Sequence, residues 1–183
     1  MYALTSSRGS LDIWSLDLEP PAGAPAAKPL LATPAHEGAP VFSPDGRWIA
    51  YISDESGSYQ VYVCRFPACE SKRGVSVGAG ASLDPKWSPD GRELFFMTGN
   101  GERLMVAPIQ VESELTLAVG QPRVLFEGRF LPSGDAGLTY DVSRDGRRFL
   151  MVRQTAPWNI GGELVVVENW LSEVQQLTSR SAR

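Results

Sequence analysis

The chain has 183 residues, of which 43% are hydrophobic and 21% charged, a composition typical of a folded globular domain. Its formal net charge of −4 argues against nucleic acid or an anionic membrane surface as the main partner. No apolar run approaches the roughly 20 residues that span a bilayer, and residues 1–17 lack the apolar stretch of a signal peptide. The sequence therefore predicts a soluble chain without direct membrane insertion.

The first predicted unit contains strands but lacks the front of the repeat described below. Strands are expected at Tyr2–Ser6 and Asp12–Leu18, on either side of a polar turn. Residues Glu19–Pro29 are rich in proline and alanine and indicate a stretched loop. A short, less clearly marked strand follows at Leu30–Leu31.

The second predicted unit is built on a four-residue turn, Ser43-Pro44-Asp45-Gly46. Proline presets the first central position of a type I turn, aspartate suits the second, and glycine takes the left-handed conformation that follows. Apolar strands are expected at Trp48–Ile52 and Tyr59–Val63, and a fourth strand at Gly74–Val77. Near-continuous apolarity indicates that these strands are buried on both faces.

The same pattern returns twice further along the chain. The second turn is Ser88, Pro89, Asp90, Gly91, and the third is Ser143, Arg144, Asp145, Gly146, with arginine in place of proline. Their unit strands are predicted at Leu94–Met97, Leu104–Ala107 and Arg123–Phe126, and then at Phe149–Val152 and Leu164–Val167. Spacings in the range of 45 to 55 residues fit four short strands per unit.

These units predict an all-β fold, a β-propeller of about four blades. The first blade is incomplete, so we expect a partial or fragmentary propeller within a single domain spanning residues 1–183. The approximate blades are 1–34, 35–79, 80–129 and 130–178. A short C-terminal helix is expected after Asn169, where Trp170, Leu171, Val174 and Leu177 share one face.

The two cysteines, Cys64 and Cys69, lie on either side of a proline-containing segment. In an oxidising compartment they would close a small disulfide loop. The alternative is a pair of reduced thiols, one at a strand end and one in a loop, because sequence alone sets no distance between the sulfurs.

The repeats resemble those of the TolB-type bacterial propellers, relatives of the WD40 propellers. The resemblance rests on the two Ser-Pro-Asp-Gly-Arg copies with their aromatic strands and covers nearly the whole chain. More narrowly, Val165-Val-Val-Glu-Asn-Trp170 resembles the end of C-terminal propellers of large bacterial proteins, some fused to a serine/threonine kinase domain. It implies a binding or sensing role and a periplasmic or other extracytoplasmic location.

Catalytic and metal chemistry are both disfavoured by the residues present. The one histidine, His36, lies in a loop, and no nucleophile elbow accompanies it, so no catalytic residues are assigned. Two thiols and one imidazole do not make a zinc site, and nothing indicates a cofactor. We interpret the three repeat aspartates as turn residues that lie far apart in separate blades.

The tryptophans are predicted to serve mainly in packing. Trp48 and Trp87 fall at core positions of their blades, and Trp14 lies on a predicted strand. Trp158, in an exposed loop, is the weak candidate for ligand binding.

The function predicted from the sequence is a non-catalytic binding or scaffold module for a protein or peptide partner. The alternative is an accessory propeller of a peptidase-type hydrolase whose catalytic domain lies elsewhere. An incomplete ring exposes the apolar faces of its end blades, which predicts self-association or pairing with a missing half.

Overall fold

The computed structural model describes residues 2–5, 10–24, 26–78, 80–130 and 140–152, and for residues 2–5 it describes the backbone. Within these ranges no helix is long and apolar enough to cross a bilayer. The predicted C-terminal helix, the strand at Leu164–Val167, Trp158 and Trp170 lie outside the described residues.

The described chain forms strands joined by turns. In chain order they are β1 Tyr2–Thr5, β2 Leu11–Leu16, β3 Ala27–Leu31, β4 Glu37–Phe42, β5 Trp48–Ser53, β6 Gln60–Arg65, β7 Glu70–Gly74, β8 Ser82–Trp87, β9 Glu93–Thr98, β10 Arg103–Val111, β11 Leu117–Val119, β12 Arg123–Glu127, β13 Tyr140–Val142 and β14 Phe149–Met151.

The strands pair as antiparallel meanders in four sheets, which we call blades 1 to 4. Blade 1 has the order β1-β2-β3 and blade 2 the order β4-β5-β6-β7. In blade 3, β8, β9 and β10 follow in order, and both β11 and β12 pair with β10. Blade 4 contains β13 and β14. This arrangement confirms the predicted all-β fold of propeller blades.

The blades stack face to face, and alternation along each strand divides their side chains between two neighbours. In β5, Ala50 and Trp48 join the core shared with blade 3, whereas Ile49 and Tyr51 join the core shared with blade 1. In β9, Phe95 packs toward blade 4. Burial on both faces is the reason that the repeat strands read as continuous apolar runs.

The first strands of blades 2 and 3, β4 and β8, carry matching irregularities. Ala39 and Asp84 each precede a proline and adopt left-handed φ values of 47° and 56°. The ladder register shifts at both places, between Gly38 and Val41 and between Leu83 and Lys86. The two β-bulges occupy equivalent positions, so the structural repeat includes backbone features outside the Ser-Pro-Asp-Gly turn.

The structure differs from the sequence predictions at three places. The fourth strand of blade 2 is β7, Glu70–Gly74, so the prediction at Gly74–Val77 was wrong. β7 is polar and exposed along its length because it is the outer edge of the blade, where apolarity is no guide. The short strand β11 was not predicted, and the loop predicted over Glu19–Pro29 gives way to β3 at Ala27.

Candidate functional site

The repeat turn is a closed hydrogen-bond network. In blade 2 the Ser43 hydroxyl donates to Asp45 Oδ1 (2.6 Å) and accepts from Trp48 N (2.9 Å). Asp45 Oδ1 also accepts from Arg47 N (3.1 Å), and Gly46 N donates to Ser43 O (2.9 Å). Gly46 has φ 71°, a conformation that favours glycine. Ser43 is thus a turn residue whose hydroxyl already donates its hydrogen bond to an aspartate.

The other two turns repeat this network. The hydroxyls of Ser88 and Ser143 donate to Asp90 (2.7 Å) and Asp145 (2.5 Å). The same serine hydroxyl bonds lower the pKa of all three repeat aspartates, and a backbone N–H two residues on adds to the effect. Arg144 in the third turn leaves the network intact, since Gly146 keeps φ 69°.

Successive turns lie against each other. A Cβ built on Gly91 would lie 3.6 Å from Pro44 Cδ, and one built on Gly146 would lie 3.5 Å from Pro89 Cδ. The interpretation that the repeat aspartates lie at distant turns was therefore wrong for neighbouring blades. Stacking places these turns at the same end of their blades, so Gly91 and Gly146 each pack on the proline of the preceding turn.

A cleft of about 410 Å³ opens between blades 2 and 3 at these turns. We call it the turn cleft, and its lining residues are Ser43, Pro44, Asp45, Trp48, Trp87, Asp90, Gly91, Arg92 and Ile109–Val111. The two tryptophans are 2% and 9% exposed, so they contribute at its base. Trp87 Nε1 donates to Val41 O (3.4 Å), which ties blade 3 to blade 2 beneath the cleft.

The rim of the turn cleft carries both negatively and positively charged side chains. Asp45 is paired with Arg47, whose Nε lies 2.9 Å from Oδ2. In the equivalent turn of blade 3, the described residues provide no ion-pair partner within 4 Å for Asp90 or Arg92, and both side chains are exposed. Val111, at the end of β10, is 48% exposed. The cleft thus combines an apolar base with a rim that offers a carboxylate, a guanidinium and a valine.

Sequence reasoning missed Arg92 and Val111 as rim residues. Arg92 follows the repeat glycine, but so do Arg47 and Arg147, and the sequence does not tell that, among the described residues, Arg47 alone of the three forms an ion pair with its turn aspartate. Val111 comes from the far end of a nine-residue strand and reaches the cleft only through the packing of blade 3.

His36 has a structural role at the boundary of blades 1 and 2. Its Nδ1 accepts from Leu11 N (3.3 Å), and its backbone N–H donates to Asp54 Oδ1 (2.8 Å). The next residue, Glu37, is buried, and its Oε1 accepts from the Thr33 hydroxyl. Burial raises the pKa of Glu37. Glu37 Oε2 and the Tyr51 hydroxyl have no hydrogen-bond partner within the described chain.

Cys64 and Cys69 form a disulfide, with a Cα–Cα distance of 4.8 Å. Cys64 is fully buried at the end of β6, in the core shared with blade 1. The bond ties the last residue of the turn between β6 and β7 back to β6. Across the described ranges, no cluster of three or more histidine, cysteine or acidic side chains is arranged to hold a metal.

A second opening of about 520 Å³ lies at the edge formed by Tyr59, Gly80, Thr98 and Asn100. Arg103 also lines it, but Glu127 lies 3.2 Å from its Nε. This opening is wider and lacks buried aromatic side chains at its base, which favours the turn cleft as the binding site.

No family model matches the chain. It is 41% identical over 56 residues to the Tol-Pal system protein TolB of Alcanivorax borkumensis, covering 30% of this chain and 13% of that protein. It is 38% identical over 64 residues to the uncharacterized peptidase YuxL of Bacillus subtilis, covering 34% of this chain and 10% of that protein. The chain thus spans little more than a tenth of either curated relative.

Among solved structures, the chain is similar to a putative TolB from Agrobacterium tumefaciens, with 24% identity and a TM-score of 0.48. The match covers 66% of this chain and 42% of that one. The sequence match to TolB confirms the resemblance of these repeats to TolB-type repeats.

Proposed function

We propose that this chain is a non-catalytic binding module, that residues 1–183 form one domain of four blades, and that the turn cleft receives a peptide segment of a protein partner. One observation carries the proposal. Between blades 2 and 3, a cleft with two tryptophans at its base is bordered by turns that are held rigid by their own hydrogen bonds. A preformed site on a rigid scaffold spends little free energy on ordering when it binds.

The chemistry of the rim favours a peptide. The Asp90 carboxylate suits a backbone N–H or a basic side chain, and the Arg92 guanidinium suits a carbonyl or an acidic side chain. Val111 extends the apolar base toward solvent. An extended peptide offers all three kinds of group along a few residues. The similarity to TolB, a protein of the Tol-Pal system, supports a protein partner and a periplasmic location for this chain.

Catalysis by the described residues is disfavoured by their hydrogen bonds. The hydroxyls of Ser43 and Ser88 donate to Asp45 and Asp90, and His36 Nδ1 accepts a backbone N–H. No serine among these is activated by the imidazole, which is what nucleophilic catalysis requires.

Panning a phage-displayed random peptide library on the immobilised chain tests the proposal. We expect enriched peptides that combine apolar and charged residues and that bind with micromolar affinity by calorimetry. Val111→Asp, which places a carboxylate on the apolar part of the rim, should weaken binding at least tenfold. Leu115→Asp is the matched control, since Leu115 is 63% exposed and does not line the cleft. No enrichment, or equal loss with both variants, would refute the proposal.

A second candidate function is that of an accessory propeller beside a peptidase domain, and the match to YuxL favours it. In that role the module restricts access to a catalytic domain rather than binding a peptide itself. Coding sequence for an α/β-hydrolase domain with a nucleophile elbow in the same reading frame would favour this candidate over the first.

A further inference from the structure

The turn between β9 and β10, which we call the β9–β10 turn, forms the hydrogen bonds of the repeat turn from a different sequence. The Thr98 hydroxyl donates to Asn100 Oδ1 (2.8 Å) and accepts from Arg103 N (3.1 Å). Asn100 Oδ1 also accepts from Glu102 N (3.2 Å), and Gly101 N donates to Thr98 O (2.8 Å). The φ of Gly101 is 71°, within the range of the three repeat glycines. Each bond spans the same number of residues as its counterpart in the Ser-Pro-Asp-Gly turns.

An asparagine stands in the β9–β10 turn at the position that the repeat gives to aspartate. Asn100 Nδ2 donates to Glu102 Oε2 (2.7 Å), a bond that an aspartate does not form. The other side-chain bonds at this position use Oδ1 alone, as they do at Asp45 and Asp90. The turn therefore accepts an aspartate in place of Asn100 with every bond but one intact, at the cost of two carboxylates side by side.

The dipeptide Asn100-Gly101 carries its own reactivity. The backbone nitrogen of the glycine loses its proton and attacks the asparagine Cγ, and ammonia leaves as a succinimide ring closes. Water then opens the ring to aspartate or to isoaspartate. Glycine favours this attack because it has no Cβ to obstruct it. Asn159 and Asn169 are followed by isoleucine and tryptophan, so Asn100 is the asparagine of this sequence from which ammonia is lost most readily.

The fold holds both reacting groups of this dipeptide in the turn. Gly101 is buried, and its N–H donates to Thr98 O. The Asn100 amide is held at both ends, since Oδ1 accepts two hydrogen bonds and Nδ2 donates one. The nitrogen cannot lose its proton and reach the amide carbon until these bonds break. The rate should therefore follow the fraction of time for which the turn is open. Asn100 is exposed, so water has access to the ring once it has formed.

We propose that Asn100 is a modification site at which water replaces the amide nitrogen of the side chain, and that opening of the β9–β10 turn sets the rate. In the net reaction the amide and one water give a carboxylate and an ammonium ion, so no oxidant, reductant or metal is needed. Aspartate restores the turn, because the same hydrogen bonds already hold the three repeat aspartates. Isoaspartate adds a methylene carbon to the backbone, so Thr98 O and Gly101 N lose their spacing.

The modification changes the charge of the second opening. Asn100, Glu102 and Arg103 all line it, and Arg103 is already paired with Glu127. A carboxylate formed at Asn100 takes the place of the amide that donates to Glu102. The modified chain therefore presents two adjacent carboxylates at an opening where the unmodified chain presents a carboxylate and its donor.

The first experiment follows the reaction by peptide mapping with mass spectrometry on the full chain in mildly alkaline buffer. We expect Asn100 to react at least tenfold more slowly in native buffer than in guanidinium chloride, where the turn is open. Thr98→Val removes the hydroxyl that bridges Asn100 and Arg103, and should raise the rate in native buffer about fivefold. Thr116→Val is the matched control, because the Thr116 hydroxyl bonds to Ser113 in the next turn, and should leave the rate unchanged.

A second variant covers the case in which Thr98→Val does not fold. Glu102 is exposed, and Glu102→Ala removes only the acceptor of Asn100 Nδ2, so the rate in native buffer should again rise. Asn100→Asp then tests the product. Its circular dichroism should match that of the wild type. At pH 7 it should unfold at a lower urea concentration than the wild type, and the difference should shrink near pH 4, where the carboxylates take up protons.

Four results would overturn the proposal. Equal rates in native buffer and in guanidinium chloride would show that the turn does not control the reaction. Faster reaction at Asn159 or Asn169 in guanidinium chloride would place the site elsewhere. Equal rates for Thr98→Val, Glu102→Ala and Thr116→Val, with each variant folded, would remove the role of the turn bonds. An unfolded Asn100→Asp chain would show that the turn rejects the product. None of these results affects the peptide test at the turn cleft.

Discussion

The Tyr140 hydroxyl donates a hydrogen bond of 2.6 Å to the carbonyl oxygen of Asp84. Asp84 is the left-handed residue at the bulge of β8, and Tyr140 begins β13 in the next blade. The bulge interrupts the ladder between β8 and β9 at this point, and the tyrosine satisfies the carbonyl from the neighbouring sheet. Blades 3 and 4 are therefore joined by a specific polar contact as well as by their apolar core.

Removing this hydrogen bond should destabilise the protein. Tyr140→Phe removes the hydroxyl that donates to the Asp84 carbonyl oxygen in a buried contact, and we expect a loss of about 1–2 kcal/mol in the free energy of unfolding. Tyr59→Phe is the control, because Tyr59 is half-buried and its hydroxyl makes no hydrogen bond to the described residues. Urea unfolding of both variants measures the difference, and equal losses would contradict the role given to Tyr140.

Alkaline pH should weaken the fold through the same residue. Burial raises the pKa of Tyr140 and, with nearby Glu55 and Glu37, that of Tyr51. A raised pKa means that the folded state holds the proton more tightly, so stability is complete below the unfolded pKa of about 10 and falls as pH rises above it. Above this pH we expect the free energy of unfolding to fall by about 1.4 kcal/mol per pH unit for each buried tyrosine. Tyr140→Phe should remove the contribution of one tyrosine to this slope.

The turn serines should differ in importance according to their burial. Ser88 is 4% exposed, and its hydroxyl donates to Asp90 and accepts from Glu93 N (2.9 Å). Ser88→Ala should lower the free energy of unfolding by about 1–2 kcal/mol. The Asp90 carboxylate and Glu93 N lose their bonds to the hydroxyl at a position that water hardly reaches. Ser143 makes the same two bonds in a more exposed turn. Ser143→Ala should lower the free energy of unfolding by clearly less than Ser88→Ala does. Chemical denaturation of the two variants measures both losses.

Reduction of the disulfide should lower stability without unfolding the chain at room temperature. Cys64 and Cys69 close a loop of only six residues, for which the chain-entropy relation gives about 2 kcal/mol. Unfolding curves with and without dithiothreitol measure the effect, and thiol titration of the reduced protein confirms two free cysteines. A double Cys64→Ala, Cys69→Ala variant serves as the control, since its curve should not respond to the reductant.

Glu37 should destabilise the protein at neutral pH. Burial, with nearby Asp12 and Glu55, raises the pKa of its carboxyl. For an acid with a raised pKa, stability is complete below the unfolded value of about 4.3 and is lost as pH rises through the folded value. Glu37→Gln keeps an Oε1 acceptor for Thr33 and stays neutral. The variant should be more stable than the wild type at pH 7 and should match it near pH 4.

The exposed Glu127 supplies the control for that comparison. Its carboxylate pairs with Arg103, so Glu127→Gln removes an ion pair and should lower stability slightly at pH 7. Thermal unfolding at both pH values separates the two carboxyl groups. A Glu37→Gln variant that is less stable than the wild type at pH 7 would show that the charged form is the one the fold requires.

The sequence predicted the parts of this protein that depend on local chemistry. The turn at Ser43–Gly46 has its geometry written into four residues: a proline that presets φ, an aspartate that accepts from serine, and a glycine that turns left-handed. The strands that follow were found because burial on both faces leaves an apolar run. β7 was misplaced because an outer edge strand has no buried face to leave such a pattern.

The candidate site depends on contacts that local sequence does not encode. Ser43–Gly46 and Ser88–Gly91 are identical in sequence, yet among the described residues Asp45 forms an ion pair with an arginine side chain and Asp90 does not. The carbonyl of Asp84 needs a donor from a residue 56 positions away, and Val111 reaches the turn cleft only because blade 3 lies against blade 2. The sequence by itself determined the repeat and its turns, since these follow from backbone preferences over a few residues. Only the tertiary structure decided which turns meet and which side chains line the cleft between them, since that depends on how whole sheets stack.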